Sequence, residues 1–240
     1  MTKFAKLMFG AASMVALFST AAMADADYAG FSGYVTGVSD YRFRGISNSD
    51  RHPTAQGSIN WEGEDGWYVG TWASGVDFDD PDVGGTNVEL DIYGGKHIDL
   101  GEGTDLNLEA YGYLYPDAAS GLHYDYFEGI VGLTHDFDGK LSLGATAAWS
   151  PEFFGKTGDA FWVGGNATVP LNDWLSVSGN VGHQWINLGT DYTHWDLGGT
   201  ITWGAFAIDA RYVDTDIHGC GGTSWCDAGA IVSLTYNIPG

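Results

Sequence analysis

Beyond residue 24 the chain alternates, position by position, between a face without charge and a face that collects the charges. In residues 87–94 the even positions are Val88, Leu90, Ile92 and Gly94, against Glu89, Asp91 and Tyr93. In residues 105–115 they are Leu106, Leu108, Ala110, Gly112 and Leu114, against Asp105, Asn107, Glu109, Tyr111, Tyr113 and Tyr115. Successive side chains of a strand point to opposite faces, so each such segment has one apolar and one polar side. Alternation and turn residues together predict twelve strands, over residues 31–45, 54–62, 67–76, 86–97, 104–115, 124–134, 141–149, 160–169, 174–185, 194–203, 205–213 and 227–236. Segments 67–76 and 124–134 alternate least cleanly, which leaves ten strands as the other count.

The connections between segments alternate in length. Short ones fall at 63–66, 99–103, 136–140, 170–173 and Gly204; longer ones at 46–53, 77–85, 116–122, 150–159, 186–193 and 214–226. An antiparallel membrane barrel with both termini in the periplasm has short turns on that side and long loops on the other. The uncharged face runs from Phe31, Val35, Tyr41 and Phe43 in the first segment to Val232, Leu234 and Tyr236 in the last, without an Asp, Glu, Lys or Arg away from the segment ends. Lipid demands this, since an Arg or Lys at the bilayer midplane costs about 2–4 kcal/mol. Trp61, Trp149, Trp185, Trp203 and Tyr236 fall near segment ends, where interfacial aromatic girdles sit. The expected fold is therefore all-β, a transmembrane antiparallel β-barrel. A secreted β-sandwich hides one face in the same way, but it leaves the number of segments, the loop-length alternation and the glycines dispersed through strands unexplained.

The first residues read differently. Lys3 and Lys6 precede an apolar run over 7–18, and Ala22-Met23-Ala24 fits a small-residue cleavage site. Residues 1–24 are expected to be a signal peptide cleaved after Ala24, and residues 25–240 a single outer-membrane barrel. The apolar run is too short for a spanning helix, which needs roughly 20 residues. No later stretch is apolar for longer, so membrane insertion has to use strands. Lys and Arg number 9 against 31 Asp and Glu, a formal net charge of −22, and cleavage would remove two of the lysines. That balance excludes nucleic acid as a partner, because binding it requires neutralising phosphates; by itself it fits a solvated exterior as well as cation transport. Cys220 and Cys226, close together in a glycine-rich loop behind an export signal, read as a disulfide. A metal site with His218 is the rival, but it lacks a nearby fourth ligand.

The candidate chemistry lies on the face opposite the apolar one. Asp40, Arg42 and Arg44 of the first segment are joined there by Glu62, Glu89, Asp91, Asp105, Glu109, Glu128, Asp196, Asp209 and Arg211, nine acids to three arginines. Rings of carboxylates favour cation entry, so Asp40, Arg42, Arg44, Glu89, Asp91, Asp105, Glu109, Asp209 and Arg211 are the candidate pore-lining residues. In a narrow barrel the arginines can instead neutralise carboxylates across the lumen and partly plug it. Arg42 and Arg44 also suit bidentate binding of a carboxylate or phosphate, or structural pairing with Glu89 or Asp91. The acidic loop Asp77-Phe78-Asp79-Asp80-Pro81-Asp82 offers oxygen ligands without the spacing of a helix-loop-helix Ca²⁺ site. Tyr111, Tyr113 and Tyr115 fit either a sugar path or wall packing. His183, His123 with Asp125, and His194 with Asp196 have no activated nucleophile beside them, so no enzymatic activity, metal or cofactor is expected.

The run Val38-Ser39-Asp40-Tyr41-Arg42-Phe43-Arg44-Gly45-Ile46-Ser47 resembles the opening of the Gcw_chp family, also called TorF-type porins. Val88-Glu89-Leu90-Asp91-Ile92-Tyr93-Gly94-Gly95 and the ending Cys226-Asp227 followed by Val232-Ser233-Leu234-Thr235-Tyr236 extend the similarity over nearly the whole mature chain. The resemblance implies a bacterial outer-membrane barrel and brings no catalytic residues with it. Such barrels usually end on an aromatic residue read by the assembly machinery, whereas this chain continues past Tyr236 into Asn237-Ile238-Pro239-Gly240. The expectation is an outer-membrane porin for passive diffusion of small hydrophilic solutes with a mild cation preference. Its expected partners are outer-membrane lipid, those solutes and the barrel-assembly machinery. The alternatives are a non-conducting envelope barrel whose external loops bind a partner, and a membrane-embedded hydrolase.

Overall fold

A computed structural model describes residues 30–78, 85–119, 121–220 and 223–238. The expected signal peptide lies outside them. Twelve strands close into one antiparallel barrel: β1 (Phe31–Val38), β4 (Thr54–Glu62), β5 (Trp67–Gly75), β6 (Val88–Gly101), β7 (Thr104–Leu114), β8 (Tyr126–Asp136), β9 (Ser142–Ser150), β10 (Ala160–Asn172), β11 (Leu175–Ile186), β12 (Tyr192–Trp203), β13 (Phe206–Thr215) and β14 (Gly229–Ile238). Each pairs with its neighbour in sequence, and β1 closes the ring by pairing with both β4 and β14, as in Val35↔Gly57 and Val35↔Tyr236. A closed ring satisfies the backbone of every strand and leaves no edge, which hydrocarbon requires. No helix among the described residues is long and apolar enough to cross a membrane.

The alternation becomes an inside and an outside. Along β13 the burial pattern switches at every residue, with Ile208 and Tyr212 out and Asp209 and Arg211 in. Leu197, midway along β12, is 63% exposed on the outer wall, in line with Val181, Ile208, Val232 and Leu234 from neighbouring strands. The strand-to-strand turns follow the expected order: tight at one end (63–66, 102–103, 137–141, 173–174, 204–205) and longer at the other, here called the turn end and the loop end.

The first segment departs from expectation. It is not one strand over 31–45: β1 stops at Val38, and the chain folds into the barrel as a small hairpin, β2 (Arg42–Phe43) against β3 (Ile46–Ser47). Tyr41, expected on the lipid face, is 2% exposed, and Phe43 is half-buried. Arg44 and Gly45 make the reversal at positive φ, 47° and 88°. A Cβ on Gly45 would come within 2.6 Å of Thr215 Cγ2 and 2.8 Å of His194 Cβ, so this turn lies directly against the β12–β13 wall and only glycine fits. Period-two alternation continues unbroken through a hairpin, which is why it reads as a longer strand.

Candidate functional site: the barrel lumen

The hairpin divides the lumen into a packed half and an open half. On the packed side Arg44, 3% exposed, reaches across to β8 and β11. Its Nη1 donates to Glu128 Oε1 at 2.9 Å and its Nη2 to Glu128 Oε2 at 2.7 Å, and Gln184 Oε1 accepts a third bond at 2.5 Å. The guanidinium lies 4.7 Å from the Phe43 ring and 4.8 Å from the Trp162 ring, the stacked geometry that suits arginine better than lysine. Tyr113 donates to Glu128 Oε2 at 3.0 Å, so the carboxylate is held from two sides. Around this pair a column of rings lines the β6–β8 wall: Tyr93 on Tyr111 (4.9 Å), Tyr111 on Tyr113 (4.6 Å) and Tyr113 on Tyr126 (4.3 Å).

Two acids of β6 end among these rings. Glu89 accepts from the Tyr41 hydroxyl at 3.0 Å, and Asp91 from the Tyr111 hydroxyl at 2.8 Å. Among the described residues neither forms an ion pair with an arginine, nor does Glu109 of β7.

Across the hairpin lies a polar cavity of about 100 Å³. Tyr34, Thr36, Gln56, Ser233, Thr235 and Asn237 line one side, Asp196, Thr200, Asp209 and Arg211 the other, and Asp40, Arg42 and Gly45 cover its loop end. Arg211 bridges two carboxylates: Nε donates to Asp209 Oδ1 at 2.8 Å and Nη1 to Asp196. Thr200 donates to Asp209 at 2.9 Å and Asn180 to Asp196 at 2.9 Å. Arg42 is turned back on the bend that precedes its strand, with Nε 2.6 Å from Asp40 Oδ2, and Ser47 donates to the other Asp40 oxygen. The charges facing the cavity are thus paired with one another, Asp40 with Arg42 and both Asp196 and Asp209 with Arg211.

The structure brings Asp40, Arg42, Arg44, Asp209 and Arg211 to this cavity. It places Glu89, Asp91 and Glu109 on the packed wall, and Asp105 exposed at the turn end. The arginines of the first segment form structural pairs, but with Asp40 and Glu128 rather than Glu89 or Asp91. Reasoning from sequence did not find Tyr41, Trp162 and Gln184 as partners. Alternation puts Trp162 and Gln184 on the inner face, but their contacts come from the hairpin. Cys220 and Cys226 are disulfide-bonded, with Cα atoms 5.8 Å apart. His194 takes the Trp162 indole N–H at 3.0 Å through Nε2, and His183 pairs with the Thr193 hydroxyl (2.9 Å) beside Trp185. Among the described residues, Asp50, His52 and Asp77 bring ligand atoms within 4.8 Å of one another at the loop end, an exposed group. Asp79, Asp80 and Asp82 of the acidic loop lie outside the described residues.

The family model described as a bacterial protein of unknown function (Gcw_chp) matches residues 21–232. The chain belongs to the Gcw_chp family. A comparison with curated proteins finds no match. Among solved structures, the fold of this Gcw_chp chain is similar to that of the KdgM porin, with a TM-score of 0.60 at 6% identity over 87% of this chain and 99% of that one. It is equally similar to the NanC porin, at 0.60 and 10% identity over 86% and 100%. An outer-membrane channel from Pseudomonas putida F1 gives 0.53 at 10% identity over 89% and 96%. At these identities the likeness establishes the twelve-stranded porin-type barrel and nothing finer.

Proposed function

We propose that this Gcw_chp chain is an outer-membrane pore that passes small hydrophilic solutes passively, with a mild preference for cations, and that its lumen is narrowed by the inward hairpin. The observation that carries this reading is a closed wall, apolar outside and lined inside by the polar cavity between Asn237 at the turn end and Arg42 at the loop end. In this reading the loop end faces the exterior and both termini the periplasm. A related fold, the KdgM porin, has been solved with oligogalacturonate. Here each lumen arginine is ion-paired, Arg42 with Asp40, Arg44 with Glu128 and Arg211 with Asp196 and Asp209, so an anionic chain meets no uncommitted cation. These pairs set four carboxylates against three arginines, and that excess inside favours cations.

Refolded protein in planar bilayers under a KCl gradient should give discrete current steps whose reversal potential has the sign of K⁺ selectivity. Folded protein that never conducts would reject the pore and favour the second reading, a non-conducting envelope barrel. One observation speaks for that alternative: a fully buried bidentate ion pair, Arg44–Glu128, is an unusual thing to place across an open channel.

A further inference from the structure

The hairpin is held at two places. Its inner anchor is Arg44. Its outer end lies against the loop that follows β13, the one closed by Cys220–Cys226. Backbone carbonyls of this loop converge on two arginines of the 39–53 segment. Trp225 O accepts from Arg42 Nη1 (3.0 Å) and from the Ser47 amide (3.0 Å), and Asp227 O accepts from Arg42 Nη1 (2.9 Å). Arg51 donates to Ser224 O (2.9 Å), Asp227 O (3.3 Å) and Ala228 O (3.1 Å). In the other direction the Trp225 indole N–H donates to Asp50 Oδ1 at 2.6 Å. Cys226 is buried, and its carbonyl is tied to the Thr215 hydroxyl at 3.0 Å.

Aiming successive carbonyls at one guanidinium requires a fixed, curved backbone path. A free loop explores many paths, at a cost of roughly 1–2 kcal/mol for each residue that must be ordered. Joining residues 220 and 226 restricts that freedom before any contact is made.

We propose that the Cys220–Cys226 loop is the lock on the hairpin: the intact disulfide holds the lumen narrowed, and opening it frees the hairpin's outer end and raises conductance. This rests on the pore reading above. The chemistry is a two-electron exchange with an external dithiol. Its thiolate attacks the half-buried Cys220 sulfur, the S–S bond breaks with Cys226 leaving, and the second thiol of the reagent completes its own disulfide. Cys220 and Cys226 end as thiols, each with one proton.

The test records the full chain in planar bilayers, first oxidised and then with dithiothreitol on the loop side. A Cys220→Ser/Cys226→Ser variant and a barrel with residues 40–51 replaced by a flexible Gly/Ser linker are recorded alongside, each shown to be folded by heat-modifiable gel mobility. The expected result is a severalfold rise on reduction, towards the level of the hairpin-less barrel, with the serine variant already raised and indifferent to dithiothreitol. If the hairpin-less barrel conducts more but reduction and the serine variant change nothing, the loop is not the lock and the pore reading survives. If the hairpin-less barrel is also silent, the pore reading fails and takes the lock with it. Reducing protein that is already folded keeps the test valid should the serine variant not fold.

Discussion

Replacing Arg44 with Ala removes the inner anchor of the hairpin and leaves Glu128, 1% exposed, with the Tyr113 hydroxyl in place of a charged partner. What is lost is a bidentate pair at 2.9 and 2.7 Å, the bond to Gln184 and a guanidinium between two rings. Breaking a buried pair by deleting one partner costs about 3–5 kcal/mol, mostly from the charge left behind. If that loss falls on the equilibrium between seated and released hairpin, at tenfold per 1.4 kcal/mol the ratio of seated to released hairpin drops by roughly two to three and a half orders of magnitude. Arg42 and Arg51 remain as trypsin sites in the same segment, so limited trypsinolysis of the folded barrel reads release directly. Arg44→Ala should be cut in the 39–53 segment under conditions in which the native chain is not. Arg44→Met with Glu128→Leu, which removes both charges and keeps the volume, should regain most of the protection, because replacing a buried pair by apolar groups is close to neutral. Equal protection of Arg44→Ala and native chain would refute the anchor, and so would a double variant that loses as much as the single one.

Neutralising the cavity carboxylates, as Asp196→Asn with Asp209→Asn, leaves Arg211 uncompensated and should shift the reversal potential towards anions, while Glu89→Gln, set among the aromatic rings, should lower stability to urea and leave selectivity nearly unchanged. Leu197→Lys on the outer wall should destabilise the refolded barrel in lipid by about 2–4 kcal/mol in urea titration; a change near zero would argue against hydrocarbon at that position. At the loop end, although its slight desolvation acts the other way, hydrogen bonds from the Thr86 hydroxyl and the Asn87 and Val88 amides hold the Asp117 carboxyl below its ordinary value of 3.8. A lowered folded-state pKa stabilises the folded state above 3.8 and loses that contribution as pH falls through the lowered value. Protection of the Asn87 and Val88 amides from hydrogen exchange, measured from pH 6 down to about 3, should therefore fall towards the acid end in the native chain and be low throughout in Asp117→Asn.

The barrel was legible because its cause is local. Val232, Leu234 and Tyr236 face lipid while Ser233 and Thr235 face the cavity, and the two-residue repeat records that division with no knowledge of any partner strand. The loop-length order was legible for the same reason. The hairpin was not, because its cause is non-local: Asp40, Arg42 and Arg44 alternate with Tyr41 and Phe43 as a strand would. What turns them inward is a carboxylate and an amide 84 and 140 residues away. The lumen's split into packed and open halves follows from that hairpin, so the division of the candidate acids between the two sides was hidden with it. The disulfide was readable from compartment and spacing, but its contact with Arg42 and Arg51 needed the fold.

Spin labels placed one at a time along 231–236 of β14, in protein folded into liposomes, test most directly whether lipid covers one face of this wall and water the other. Accessibility to lipid-soluble oxygen should peak at 232, 234 and 236, and accessibility to a water-soluble nickel chelate at 233 and 235. Accessibility that follows no two-residue period, or a nickel signal at Val232 and Leu234 equal to that at Ser233, would contradict a lipid-embedded, water-lined barrel.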